Sequence, residues 1–132
     1  MMGTPEEVEM SAQESQVEAG PIRFVVEHRN VGADGGPTVR VMGNGDDHEY
    51  LRFDMFRANA HYHYEPPGAD ERILGIDTVA VGDSVDWVID RLRQRLTPML
   101  TEAGGQSLAN ELDDTTLEQA VDEVEKLVRN PS

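Results

Sequence analysis

The sequence predicts an α+β fold, in which an antiparallel sheet of four or five strands is followed by two or three C-terminal helices that pack on one face. Between residues 22 and 81, apolar and polar residues tend to alternate, which is typical of half-buried strands. From Gly82 onward the apolar residues recur every three or four positions, as in amphipathic helices. All strand segments precede all helical segments, and this order favours α+β over an alternating α/β fold.

Five strand segments are predicted, and they cover residues 22–29, 38–42, 48–57, 60–65 and 72–81. The glycine-rich segment 30–37 is predicted to be a loop. Asn44 and Gly45 are predicted to form a two-residue turn, because both residue types tolerate a positive φ. Ala58 and Asn59 are predicted to form the two-residue turn of the next hairpin.

The helical part begins with an amphipathic helix whose predicted N-cap is Asp83 or Ser84. This helix is expected to kink or restart at Pro98, because proline lacks the N–H that an interior position needs. Residues 107–112 are predicted to form a single helical turn. Residues 115–118 (Thr-Thr-Leu-Glu) match a capping box that opens the last helix. The predicted apolar face of that helix consists of Leu117, Val121, Val124 and Val128.

The length of 132 residues fits one folded domain, which we assign to residues 21–132. Residues 1–20 are predicted to be a disordered acidic tail, because they contain five acids, no base and few apolar residues. A domain of this size buries enough surface to fold without staples, so its stability requires no cofactor. The absence of cysteine excludes disulfides and thiol chemistry.

The formal net charge of −15 is spread over the whole chain. Arg91, Arg93 and Arg95 step by two along a predicted helix, so we expect them to diverge and not to form one anion site. Without a basic stripe, nucleic acid and anionic membranes are excluded as partners. The sequence also lacks a long apolar run and a signal peptide at its N-terminus, and we therefore expect a cytoplasmic location.

Chemically reactive side chains are concentrated on the hairpin of segments 48–57 and 60–65. Its turn at Ala58 and Asn59 would place Asp54 opposite His63 and Arg52 opposite Glu65. Strand alternation then predicts one apolar face, covered by helices, and one polar face. The polar face contains Arg52, Asp54, His61, His63 and Glu65. His48 shares this face but lies about 20 Å from Asp54 at the rise of a strand, so it is left out.

Three interpretations of the polar face stay open. The face is a solvated surface with cross-strand ion pairs, or it binds a small-molecule or protein ligand, or His61, His63 and Asp54 bind a divalent metal. Two imidazoles and one carboxylate form a ligand set of iron and zinc sites, and zinc, iron, manganese and nickel are the candidate ions.

The leading functional prediction is a binding or interaction module without demonstrable catalysis. The alternative is a divalent-metal-binding protein or a metal-dependent enzyme that uses His61, His63 and Asp54. We also expect a homodimer, formed through a sheet edge or a helix face, because the edges of such a short sheet are not obviously protected.

A resemblance to known proteins rests on three segments, LRFDMF, AHYHYEPPG and GDSVDWVIDRLRQRLTPMLTEAG. Together they resemble a group of small bacterial proteins of unknown function with an FD-x-F…HYHY-x-P signature, over residues 50–104. The resemblance implies a self-standing domain and no established activity.

Overall fold

The computed structural model describes residues 14–130, and within them the chain forms a six-stranded antiparallel sheet followed by five helices. The strands pair in chain order, so that β1 and β6 lie at the two edges. They are β1 (Ser15–Ala19), β2 (Ile22–Val31), β3 (Asp34–Gly43), β4 (Glu49–Asp54), β5 (His61–Tyr64) and β6 (Arg72–Gly75). The α+β class is confirmed, but the described sheet has six strands, not four or five.

The additional strand, β1, lies in the segment that was predicted to be a disordered tail. It pairs with β2 from Ser15 opposite Val26 to Ala19 opposite Ile22. Only Val17 and Ala19 of this strand pack against the core, so five residues give too short an alternation to be noticed. The tail prediction is therefore wrong for residues 15–19, and residues 1–13 lie outside the described part of the chain.

The glycine-rich segment 30–37 is mostly strand, and the prediction of a loop there is wrong. The pairing of β2 with β3 continues to Val31 opposite Asp34, which leaves a turn of two residues. Gly36 lies in β3 with a φ of 151°, and a Cβ atom at this position would be 2.4 Å from the carbonyl oxygen of Met55. The glycine therefore allows the backbone after β4 to lie against β3, an arrangement for which strand glycines are often used.

Gly36→Ala is expected to lower the free energy of unfolding by about 2 kcal/mol or more, because the new methyl group meets backbone atoms and φ is positive. Urea unfolding measures the change. Gly45→Ala is the matched control, since a Cβ there has no neighbour within 4 Å, and its effect should stay within about 0.5 kcal/mol. Equal losses in the two variants would show that the close approach to Met55 is unimportant.

The connection between β3 and β4 is longer than predicted, and the two-residue turn at Asn44 and Gly45 is wrong. The positive φ, 55°, occurs at Asp47, whose N–H donates to the Gly43 carbonyl at 3.0 Å. The side-chain amide of Asn44 instead donates to the carbonyls of Gly20 and Ile22, at 2.9 and 3.1 Å. Long-range hydrogen bonds, not turn geometry, therefore explain the asparagine at this position.

The connection between β4 and β5 is also longer than predicted, because it spans residues 55–60 and not only Ala58 and Asn59. The carboxylate of Asp34 accepts from the N–H groups of both these residues, at 2.9 and 3.0 Å, and fixes the loop to the start of β3. The pairing consequently shifts by two residues, so that Asp54 lies opposite His61. A shift of two keeps every side chain on its predicted face.

The helices are α1 (Thr78–Val81), α2 (Ser84–Gln94), α3 (Leu96–Glu102), α4 (Gln106–Asn110) and α5 (Asp114–Arg129). The predicted strand over residues 72–81 is wrong in its second half, where Asp77 caps α1 by accepting from two backbone N–H groups. Among helices within residues 14–130, none is long and apolar enough to cross a membrane.

Three helix boundaries follow from capping and proline chemistry. Asp83 caps α2, as predicted, by accepting from the N–H of Val85. The helix is interrupted at Arg95, between α2 and α3. Pro98 lies in the first turn of α3, where its missing N–H costs no helical hydrogen bond. The cap of α5 is Asp113 and not the predicted capping box. The predicted apolar face of α5 is buried as expected.

The core lies between the helices and one face of the sheet. Fully buried side chains from both layers form it, among them Phe24, Val41, Leu51, Phe53, Leu92, Leu100, Val121 and Val124. The opposite face of β2 to β5 carries charged and polar side chains, and several of these are buried: Glu27, Thr38, Asp54 and His63. Buried polar groups need partners, so this face consists of side chains that satisfy one another.

Candidate functional site

Asp54, the last residue of β4, is the centre of the polar face and is 0% exposed. One carboxylate oxygen, Oδ1, accepts from Thr38 Oγ1 at 2.7 Å and from an Arg29 Nη at 3.3 Å. The other, Oδ2, lies 3.1 Å from Arg52 Nε. Burial by itself raises the pKa of Asp54, but the Thr38 hydrogen bond and the charge of Arg52 outweigh it and hold that pKa below its usual value.

His61 and His63 of β5 present their Nε2 atoms to the same oxygen, Asp54 Oδ2, at 3.1 and 3.2 Å. They lie two residues apart on a strand and therefore share a face. The other ring nitrogens have acceptors as neighbours. Nδ1 of His61 is 2.8 Å from the Asn59 carbonyl, and Nδ1 of His63 is 2.6 Å from the Glu71 carboxylate. Since these acceptors carry no hydrogen, each Nδ1 holds a proton and donates it.

Arg52 contacts the second ring nitrogen of His63. A terminal nitrogen of its guanidinium lies 2.9 Å from His63 Nε2. A guanidinium has only donors, so the lone pair of His63 Nε2 accepts from Arg52. This hydrogen-bond pattern corresponds to the His63 tautomer that carries its proton on Nδ1, on the side of Glu71.

Glu65 lies just beyond the end of β5, and the predicted cross-strand pair with Arg52 is wrong, because Arg52 lies opposite His63. Burial and the neighbouring Glu49 carboxylate raise the pKa of Glu65 to about 8, so Glu65 is protonated at neutral pH. Its Oε2 is buried without a hydrogen-bond partner among the described residues. Glu65, Glu71 and His63 offer ligand-type atoms that lie within 4.8 Å of one another.

The structure therefore brings Arg52, Asp54, His61 and His63 together and places Glu65 at the border of the group. His48 stays apart from the Asp54 carboxylate, and its Nε2 lies 2.6 Å from the Glu65 carbonyl oxygen. We use the name Asp54 cluster for the following residues: Arg29, Thr38, Arg52, Asp54, His61, His63 and Glu71.

Sequence reasoning missed three members of the Asp54 cluster. Thr38 and Arg29 come from β3 and β2, and strand alternation would place them correctly only once the pairing with β4 is known. Glu71 precedes β6, and no sequence pattern indicates its contact with His63. Phe56, in the loop after β4, contacts His61 edge to face, with ring centroids 5.8 Å apart.

Comparison with known families gives a match over most of the chain. A family model described as a domain of unknown function (DUF7700) matches residues 16–128. The chain belongs to the DUF7700 family. The DUF7700 match begins within β1 and ends within α5, so it is longer than the resemblance over residues 50–104 and includes the whole Asp54 cluster. No curated protein and no solved structure matches the chain.

Within this DUF7700 chain, one carboxylate and two imidazoles offer three ligand-type atoms that lie within 4.8 Å of one another, from Asp54, His61 and His63. Sets of three protein ligands are typical of open metal sites, where water or a substrate completes the coordination. The arrangement is chemically suited to bind a divalent cation.

Proposed function

We propose that this DUF7700 protein binds a divalent transition-metal ion through Asp54, His61 and His63. The observation that supports it most is the direction of the two imidazoles. Each has its Nδ1 proton engaged by an acceptor, and each directs Nε2 to the same carboxylate oxygen. Two imidazole nitrogens and one carboxylate oxygen that converge in this way form a donor set of divalent-metal sites.

The distances agree with a metal site. Nε2 of His61 and of His63 lie 3.1 and 3.2 Å from Asp54 Oδ2. Ligand atoms about 2.0–2.1 Å from a tetrahedral ion are separated from one another by about 3.3 Å. Both nitrogen-to-oxygen distances are therefore close to this ligand separation.

The neighbours of the imidazoles support the same conclusion. Metal-binding histidines donate the proton of their other ring nitrogen to a carboxylate or a backbone carbonyl, which fixes the ring orientation. His63 has such a carboxylate in Glu71, and His61 has such a carbonyl in Asn59. A solvated polar surface would require neither partner.

Arg52 opposes metal binding, because its guanidinium contacts both Asp54 and His63 Nε2. The ion takes over the His63 lone pair only if Arg52 gives up this contact. The nitrogen-rich ligand set favours zinc, iron or nickel over magnesium or calcium. Competition with Arg52 lowers the affinity but leaves the choice of metals unchanged.

Metal binding is tested with tag-free protein that has been stripped of metal. Cobalt is expected to bind stoichiometrically and to show a visible absorption band. Zinc should raise the melting temperature, with a stabilisation of about 3 kcal/mol when the free ion is a hundredfold above its dissociation constant.

His61→Gln should abolish both signals, because it removes one ligand on a partly exposed ring. His48→Gln is the matched control and should retain them, since His48 lies outside the Asp54 cluster. Failure of the unmodified protein to bind cobalt, or equal cobalt binding by His61→Gln, would refute the proposal.

A further inference from the structure

A groove with a volume of about 500 Å³ lies on the opposite side of β5 from the Asp54 cluster. Its lining comes from β5 and β6 on one side and from α2 and α3 on the other. Tyr62 and Tyr64 line it, because they alternate with His61 and His63 along the strand. Sites for small organic molecules have volumes of about 300–1,000 Å³, so the groove has a suitable size.

Three aromatic rings form one wall of this groove. The ring centroids of Tyr62 and Trp87 are 5.6 Å apart, and those of Tyr62 and Tyr64 are 5.7 Å apart. All three side chains remain partly exposed. Exposed faces of neighbouring rings are favourable surfaces for stacking a further ring.

Three arginines and one acid, Glu102, also line the groove. The guanidinium of Arg72 lies 4.6 Å from the ring centre of Tyr64, and that of Arg91 lies 5.6 Å from the ring centre of Trp87. With Asp90 paired to Arg91, three arginines face two acids here, and this small local excess of positive charge is unusual in a chain of net charge −15. It would attract an anion.

Arg91 of α2 and Arg95, the residue that follows α2, both line the groove. The expectation that the three arginines diverge is wrong for this pair, which lines the groove together. It holds for Arg93, which forms ion pairs with Asp122 and Glu125 of α5.

The groove arginines have unused donors. A terminal nitrogen of Arg91 pairs with the Asp90 carboxylate, but its Nε is buried and has no hydrogen-bond partner among residues 14–130. Arg95 is exposed and forms no ion pair within that range, whereas Arg72 pairs with Glu102 at 2.9 Å. A buried donor without an acceptor is destabilising, and an anion bound in the groove would supply acceptors.

We propose that this groove binds a small planar aromatic anion, with its ring against Tyr62, Tyr64 and Trp87 and its carboxylate or phosphate group on Arg91 and Arg95. A neutral aromatic molecule would leave the arginine donors unpaired, and a small inorganic anion would leave the ring surfaces uncovered. This site shares no residue with the proposed metal site, because the two use opposite faces of β5.

Trp87 provides a direct reporter, because it is the single tryptophan of the chain. In ¹⁵N-labelled protein its indole N–H gives one resonance, which can be followed during titration with 2-naphthoate and with adenosine monophosphate. At least one of these probes is expected to shift the resonance saturably. Binding of the carboxylate or of the phosphate probe alone supports the proposal and identifies the anionic group.

Arg95→Gln should weaken the binding about tenfold, the expected loss for one exposed charged contact. Arg93→Gln is the matched control and should leave the affinity unchanged. The neutral 2-naphthamide and inorganic phosphate should bind far more weakly than the aromatic anions. The proposal is overturned if neither aromatic anion binds, if the amide binds as tightly as the acid, or if the two arginine variants behave alike.

Discussion

Asp54→Asn is expected to lower the free energy of unfolding of the metal-free protein by about 3 to 5 kcal/mol, the usual cost of removing one member of a buried charge group. Asp54 is 0% exposed and is the common partner of Arg29, Arg52 and Thr38. An amide cannot neutralise the two guanidinium groups, and its own N–H₂ group would face donors.

Chemical unfolding with urea, with a chelator present, measures this loss. Asp47→Asn is the matched control, because the side chain of Asp47 is 74% exposed and, within residues 14–130, forms its ion pair with Arg23. Exposed ion pairs contribute little, so the control should change stability by about 1 kcal/mol or less. Similar losses in the two variants would mean that burying Asp54 among its partners does not add to the free energy of unfolding.

The effect of Asp54→Asn should depend on pH. Because the pKa of Asp54 in the folded protein lies below its unfolded value of about 3.9, the carboxylate stabilises the fold fully above that pH. This contribution disappears as the pH falls through the folded pKa. The stability difference between the unmodified protein and the variant should therefore shrink below about pH 4. A difference that stays constant from neutral pH into acid would contradict the assignment.

Phe53→Ala is expected to cost about 3 to 5 kcal/mol, as for other large core side chains that are cut back to a methyl group. Phe53 is fully buried in β4, between Val39 of β3 and Tyr62 of β5. Its ring stacks on that of Tyr62, with centroids 5.9 Å apart and planes 17° apart. The variant loses both the buried area and the support of the neighbouring ring.

The control for Phe53→Ala is Val79→Ala, because Val79 in α1 is 95% exposed. Its substitution should change stability by about 0.5 kcal/mol at most. Thermal or urea unfolding compares the two variants. A loss below about 1 kcal/mol for Phe53→Ala would show that the helix-facing side of the sheet is not the main core.

Local patterns in the sequence predicted much of the fold, but not the connections. Alternation indicated the strands that bury one face, and the three-to-four spacing indicated α2 and α5. Loop lengths depended on distant partners, because Asp34 captures the N–H groups of Ala58 and Asn59, and Asn44 bonds to the turn after β1. A strand as short as β1 is recognisable only once its partner β2 is known.

For the candidate site too, local patterns predicted the positions of the main residues but not their contacts with distant residues. The period of two along β4 and β5 was enough to place Asp54, His61 and His63 on one face, even though the pairing shifted by two residues. The partners that set the chemistry of these groups lie elsewhere in the chain. Glu71 and Asn59 determine the tautomers, and Thr38 supports the carboxylate, through contacts between residues whose spacing follows no local pattern.

Strand β5, four residues long, separates the Asp54 cluster from the aromatic groove. Both of its imidazoles belong to the Asp54 cluster and both of its phenol rings line the groove, so every residue of the strand takes part in one of the two sites. Inserting or deleting a single residue at its start would turn the two histidines toward the groove and the two tyrosines toward the other face of the sheet. A ligand that displaces β5 from one side would also change the site on the other side. The resulting change in binding free energy would be equal in both directions.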